Sequence, residues 1–219
     1  MNKLLTSMFA LAVASVTAIS VQAQEVKGDA KAAEQKIAMC IGCHGIKGYQ
    51  ASFPEVYRVP MISGQNAKYI VSALNAYKKG ERKHPTMRGI ADSLSEQDMA
   101  DLGAYYEQHG NTQTVTAAPK APDPKVAALL QKGACISCHG DNFNKPIDPS
   151  YPKLAGQHKD FLFVALKSYK TENLSTWGRN NGVMGGIAKQ FTNAELKAMS
   201  AYIGSLEGEM KVVPQSKFR

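Results

Sequence analysis

Apolar residues are patterned in two distinct ways along this 219-residue chain. Residues 4–21 form a mostly apolar run behind the positive start Met1-Asn2-Lys3, diluted by Thr6, Ser7, Ser15, Thr17 and Ser20. Val21-Gln22-Ala23 closes it with small residues, the layout of a cleaved export signal rather than of an uncleaved anchor. Residues 1–23 are therefore expected to be removed, leaving a mature chain outside the cytoplasm. Beyond them no apolar run approaches the roughly 20 residues that a membrane-spanning helix needs, so a soluble mature protein is expected. The second pattern is helical. Tyr69, Ala73 and Tyr77 recur on one face of residues 69–78, and Phe161, Ala165 and Tyr169 do so in residues 161–170. Helices are also expected over residues 30–39 and 124–132. Two final helices each open on a capping-box pattern, Ser95 to Asp98 and Thr192 to Glu195. Strand signals are weak throughout, and the expected fold class is all-α.

These elements occur twice. Cys40-Ile41-Gly42-Cys43-His44-Gly45 returns as Cys135-Ile136-Ser137-Cys138-His139-Gly140, 95 positions later. Pro60-Met61-Ile62-Ser63-Gly64-Gln65 returns as Pro152-Lys153-Leu154-Ala155-Gly156-Gln157 at 92. Met87 to Ala91 matches Met184 to Ala188, and Ala104-Tyr105 matches Ala201-Tyr202, both at 97. Order and spacing survive together, which marks duplication of a whole domain. Domains are expected at residues 24–112 and 125–219, with the segment holding Pro119, Pro122 and Pro124 as the linker between them.

Charge adds little. The mature chain carries 25 Lys plus Arg against 18 Asp plus Glu, without any basic block, which argues against nucleic-acid binding. Residues 24–115 hold 11 basic and 10 acidic side chains, whereas residues 116–219 hold 14 and 8. That asymmetry is either a solvated surface without meaning or a means for the second domain to meet an acidic partner faster.

The cysteines change the picture. C-x-x-C-H is the spacing that attaches a c-type haem: Cys40 and Cys43, or Cys135 and Cys138, form thioethers to two vinyl groups of one porphyrin, and His44 or His139 binds its iron. Zinc sites, redox dithiols and structural disulfides also use paired cysteines. Against them, each pair runs directly into His, the chain has four cysteines in all, and the surrounding sequence repeats with the motif. Two covalent haems are expected. Methionine is the soft second axial ligand expected of an electron carrier, and it raises the potential. Met87 and Met184 alone occupy equivalent positions, and Pro85, Gly89, Gly182, Gly185 and Gly186 give both segments the composition of a loop. Met61 faces Lys153 in the repeat, Met99 and Met199 lie inside final helices, and Met39 and Met210 have no counterpart. His84 is the rival to Met87, although Asn181 holds its place in the second copy. His109 and His158 read as surface histidines.

With these motifs in view, both copies resemble class I cytochrome c domains, and the tandem resembles the di-haem cytochrome c4 family. The resemblance implies that the carbonyls of Pro60 and Pro152 accept the Nδ1–H of His44 and His139. It also implies an exported or loosely membrane-associated carrier that passes electrons between redox proteins, towards a terminal oxidase or another acceptor, with no catalytic residue. The Gly-rich segment around Met184 departs from the first copy. In that family the haem propionates meet at the domain interface, where Tyr77 with Tyr169 and Tyr105 with Tyr202 are candidate hydroxyl donors, core packing being the simpler reading for at least two of them. The competing function is a di-haem oxidoreductase acting on thiosulfate or peroxide, which needs an iron with a displaceable ligand.

Overall fold

The computed structural model describes residues 26–110, 120–171 and 174–214; the expected leader, residues 1–23, and residues 113–119 of the expected linker, 113–124, lie outside the described residues. In chain order the first half forms α1 (Ala30–Ala33), α2 (Ala38–His44), β1 (Gln50–Ala51), β2 (Tyr57–Arg58), α3 (Ala67–Lys78), β3 (Arg82–Lys83), α4 (Pro85–Asp92) and α5 (Glu96–Gln108). The second half forms α6 (Pro124–Lys132), α7 (Cys135–His139), α8 (Lys159–Lys170), β4 (Gly178–Arg179), α9 (Gly182–Ala188) and α10 (Asn193–Ser205). The fold is all-α, its strands being two-residue pairings.

Both capping boxes form. Ser95 Oγ accepts from the backbone of Asp98 while the Asp98 carboxylate takes the Ser95 N–H, and Thr192 and Glu195 do the same at α10. Each satisfies two backbone donors that a helix start leaves free. The helix expected over residues 30–39 is instead broken between α1 and α2. There Lys36 N–H reaches back only to Ala33 O at 2.8 Å, the tighter turn of a 3₁₀ segment. Packing is the reason: Ala33 and Ile37 are buried, while Lys36 turns to pair with Asp98 and with the buried Asp101 of α5.

Each half has its own small core. Ile37, Ile70, Leu94, Met99, Leu102 and Tyr105 pack in the first. Leu130, Phe143, Leu162, Phe191, Leu196 and Ile203 pack in the second. Met99 and Met199 are core residues, buried in the final helices.

The halves meet around an approximate two-fold axis, as the faces of a symmetric dimer do. Strand β3 pairs antiparallel with β4, setting Arg82 opposite Arg179. Gln65 gives and takes hydrogen bonds with the backbone of Lys153, Nε2 to O at 3.0 Å and N to Oε1 at 2.8 Å. Gln157 repeats this on Met61 at 2.9 and 3.0 Å. Both amides also point a Nε2–H at Met210 Sδ, at 3.3 and 3.6 Å. Arg58–Asp160 at 2.9 Å and Lys167–Glu55 at 2.7 Å are ion pairs that brace the same contact. Gly64, ahead of Gln65, has a φ of +88°, and a side chain there would stand 2.5 Å from the Glu209 carbonyl. Glycine keeps this turn free for the C-terminal segment, whose Lys211 N–H bonds Ser63 O at 3.0 Å.

Candidate functional site

The two C-x-x-C-H motifs sit on α2 and α7, each helix ending on its histidine. Three-residue spacing turns both cysteines of a pair to one face of the helix, with the imidazole beside them. His44 Nδ1–H donates to Pro60 O at 2.8 Å, and His139 Nδ1–H donates to Pro152 O at 3.1 Å. Because a carbonyl only accepts, these bonds fix the tautomer and leave Nε2 with its lone pair free to bind a metal. Burial pushes both imidazoles below their ordinary pKa, with the proline carbonyls acting the other way. Burial also raises the Cys40 thiol to about 11, so it does not act as a thiolate at neutral pH. A zinc site needs about four converging ligands. Among the described residues no three His, Cys, Asp or Glu side chains converge in that way.

Met87 and Met184 do not lie in loops. Each is the third residue of a short helix, α4 and α9, capped by His84 and Asn181 respectively. The glycines and Pro85 suggested irregular backbone, but Pro favours the first helical position, and an Asn cap opens a helix as readily as a loop. His84 Nδ1 accepts the Met87 N–H at 3.4 Å, and Nε2 faces Tyr57 OH at 3.1 Å. With Nδ1 accepting, the proton sits on Nε2 and goes to Tyr57, so the ring keeps no lone pair for a metal.

Both motifs and both methionines line one continuous cavity of about 950 Å³. Single ligand pockets span about 300–1,000 Å³, so this space is near the upper limit for a chain whose cores are small. At the two-fold axis its wall carries Arg82 and Arg179, together with Tyr69, Tyr77 and Tyr169. Arg82 lies 4.6 Å over the Tyr77 ring and donates to Tyr69 OH at 3.2 Å, while Arg179 donates to Tyr169 OH at 3.4 Å. Burial opposes ionisation of the Tyr69 hydroxyl, yet Arg82 and Arg179 together hold it below its ordinary pKa. Arg82 Nε is buried without a hydrogen-bond partner among the described residues. Two cations facing an apolar cavity, without a paired carboxylate among the described residues, call for an anion inside it. The propionates of a haem are such an anion, so the residues present fit the group, and Arg82 and Arg179 would hold its carboxylates. Tyr105 is packed on His109 with ring centroids 3.9 Å apart, and Tyr202 OH donates to Lys120 O at 2.9 Å, so neither reaches this wall. Sequence reasoning passed over Arg82, Arg179 and the two glutamines. The repeat carried their signal: Arg82 and Arg179 stand 97 apart, as the methionines do, and Gln65 and Gln157 end the matched P-x-x-x-G-Q segments.

Two all-helical domains, each presenting C-x-x-C-H and a methionine to a shared cavity edged by cations, define a tandem of covalent-haem domains. The family model for cytochrome c matches residues 30–109 and again 125–207. Cytochrome c4 from Stutzerimonas stutzeri is 30% identical, the match covering 94% of this chain and 100% of that protein. Cytochrome c4 from Azotobacter vinelandii is 32% identical over 82% of this chain and 90% of its own length. The crystal structure of reduced recombinant cytochrome c4 from Pseudomonas stutzeri has a TM-score of 0.62 at 29% identity, covering 82% of this chain and all of that one. The chain belongs to the cytochrome c family, within its di-haem cytochrome c4 group. It binds two covalent haem c groups and transfers electrons.

Proposed function

We propose that this chain is a periplasmic carrier that collects electrons from one redox protein and delivers them to another, towards a terminal oxidase or similar acceptor, without catalysing a reaction of its own. Cys40, Cys43, Cys135 and Cys138 form the thioethers. His44 with Met87, and His139 with Met184, are the axial ligands, oriented through Pro60 and Pro152. When bound, each haem supplies an iron that alternates between ferrous and ferric. The observation that carries this reading is that the methionine of each half lines the same cavity as the motif of that half, which offers each iron a candidate second ligand. An oxidoreductase acting on thiosulfate or peroxide needs an open or displaceable position.

The protein's own residues do the rest. An imidazole paired with a thioether favours the ferrous state, which suits a carrier that accepts and passes on electrons. Each half exposes apolar side chains, Met39, Ile46 and Phe53 in the first and Ile136, Ile147 and Val183 in the second, which suit brief contact with a partner. Among the described residues no helix is long and apolar enough to cross a membrane. Export rests on the leader at residues 1–23, and contact with a membrane surface is left to a weak association of the folded chain.

Titration of the oxidised protein with cyanide, and of the reduced protein with carbon monoxide, tests this directly. Two closed irons react sluggishly and incompletely. Prompt stoichiometric binding at either haem overturns the carrier assignment and restores the oxidoreductase.

A further inference from the structure

We propose that His84 and Asn181 are positioning residues for the two axial methionines. They act by capping the helix start that aims each thioether into the haem cavity. The inference rests on Met87 and Met184 being the ligands.

The two sites share one plan. His84 and Asn181 stand 97 apart, each three residues before its methionine. Each adopts extended backbone at the helix start, with φ of −158° and −139°. Each turns a side-chain acceptor onto the methionine N–H, at 3.4 Å from His84 Nδ1 and 2.9 Å from Asn181 Oδ1. That N–H is one of the donors a helix start leaves unsatisfied. Engaging it fixes the first turn, and the first turn sets the Cα–Cβ direction along which the methionine leaves the backbone.

The supports of the two caps differ. His84 is itself held, its Nε2–H on the buried Tyr57 hydroxyl at 3.1 Å and its ring edge-on to Phe53 with centroids 6.0 Å apart. Tyr57 adjoins Arg58, whose backbone and side chain both bond Asp160 of the other domain, at 3.1 and 2.9 Å. The first methionine is therefore tied through His84 to the domain interface. Pro85 follows His84 and presets the helical φ, whereas Gly182 follows Asn181 and presets nothing. The second methionine depends more on its cap.

The test is the affinity of each ferric haem for imidazole in the intact di-haem protein. The two sites are told apart by the methionine methyl proton resonances of the ferrous form, which the porphyrin ring current shifts upfield. His84→Ala is expected to raise imidazole affinity at the first haem about five-fold, equivalent to the ~1 kcal/mol of a lost cap, and to weaken the red sulfur-to-iron charge-transfer band, with the second haem unchanged. Asn181→Ala is expected to do the same at the second haem, by a larger factor. His84→Asn, which copies the other domain's cap but cannot reach Tyr57, is expected to restore the wild-type affinity. A purely structural role for the ring would leave that variant as weak as alanine, and this result overturns the proposal. So does an unchanged affinity at the second haem in Asn181→Ala, an exposed position where folding is not at stake. Met87→Ala is the control for the underlying reading: if it leaves the band and the affinity unchanged, the ligand assignment has failed and not the capping argument.

Discussion

Met87→His lowers the potential of one haem by on the order of 0.2 V and leaves the other nearly where it was; Met184→His does the converse. Axial ligand identity spans about 0.8 V across haem proteins, and exchanging a soft thioether for imidazole moves towards its lower end. The effect is local because each methionine belongs to its own short helix, α4 or α9, on its own stretch of the cavity wall. Spectroelectrochemical titration measures both potentials at once. A shift at both haems from one substitution contradicts the assignment, and so does none from Met87→His alongside a clear one from Met61→His.

Cys135→Ser with Cys138→Ser removes the covalent hold on the second haem, and the second domain then fails to fold stably. The domain is built around the group: the cavity of about 950 Å³ serves two sites, while the core that remains is small. Leaving half of that volume empty costs, at the ~24 cal/mol per Å³ found for buried cavities, up to about 11 kcal/mol. A domain has about 5–15 kcal/mol of stability in total, so the loss is of the same size as the whole. Water entering the open side of the cavity lowers the figure but does not restore the apolar contacts of the lost group. Far-UV circular dichroism is expected to lose about half of the helical signal, with the mass reduced by one haem. Retention of full helicity in the variant contradicts this account of the core.

What the sequence made legible follows from how local each feature is. Haem attachment is written in five consecutive residues because the thioethers and the iron ligand must come from one turn of helix, and duplication writes it twice. Capping boxes are equally local, and those at Ser95 and Thr192 form as read. The break after α1 was hidden because it is caused by Asp98 and Asp101, some 60 to 65 positions away from Lys36. Gly and Pro mark irregular backbone on average and so point to loops around Met87 and Met184, whereas here Pro85 and Gly182 are first residues of helices. The interface was the least legible part. Gln65 and Gln157 satisfy backbone groups of the opposite domain, and Arg82 and Arg179 line up only when β3 meets β4. Comparison of the two copies nonetheless held the clue, since both pairs recur at the offsets of their neighbours.

The cavity is shared, and two cationic side chains, Arg82 and Arg179, stand on its wall where the halves meet, so oxidation at one site is expected to be felt at the other through poorly screened charge. The chain is expected to work as one relay rather than as two tethered cytochromes. Rapid one-electron oxidation of the fully reduced protein, followed optically over a range of protein concentrations, tests it most directly. A fast redistribution between the two haems is expected, at a rate independent of protein concentration. A redistribution rate that rises in proportion to protein concentration would show that electrons pass only between molecules, and would contradict it.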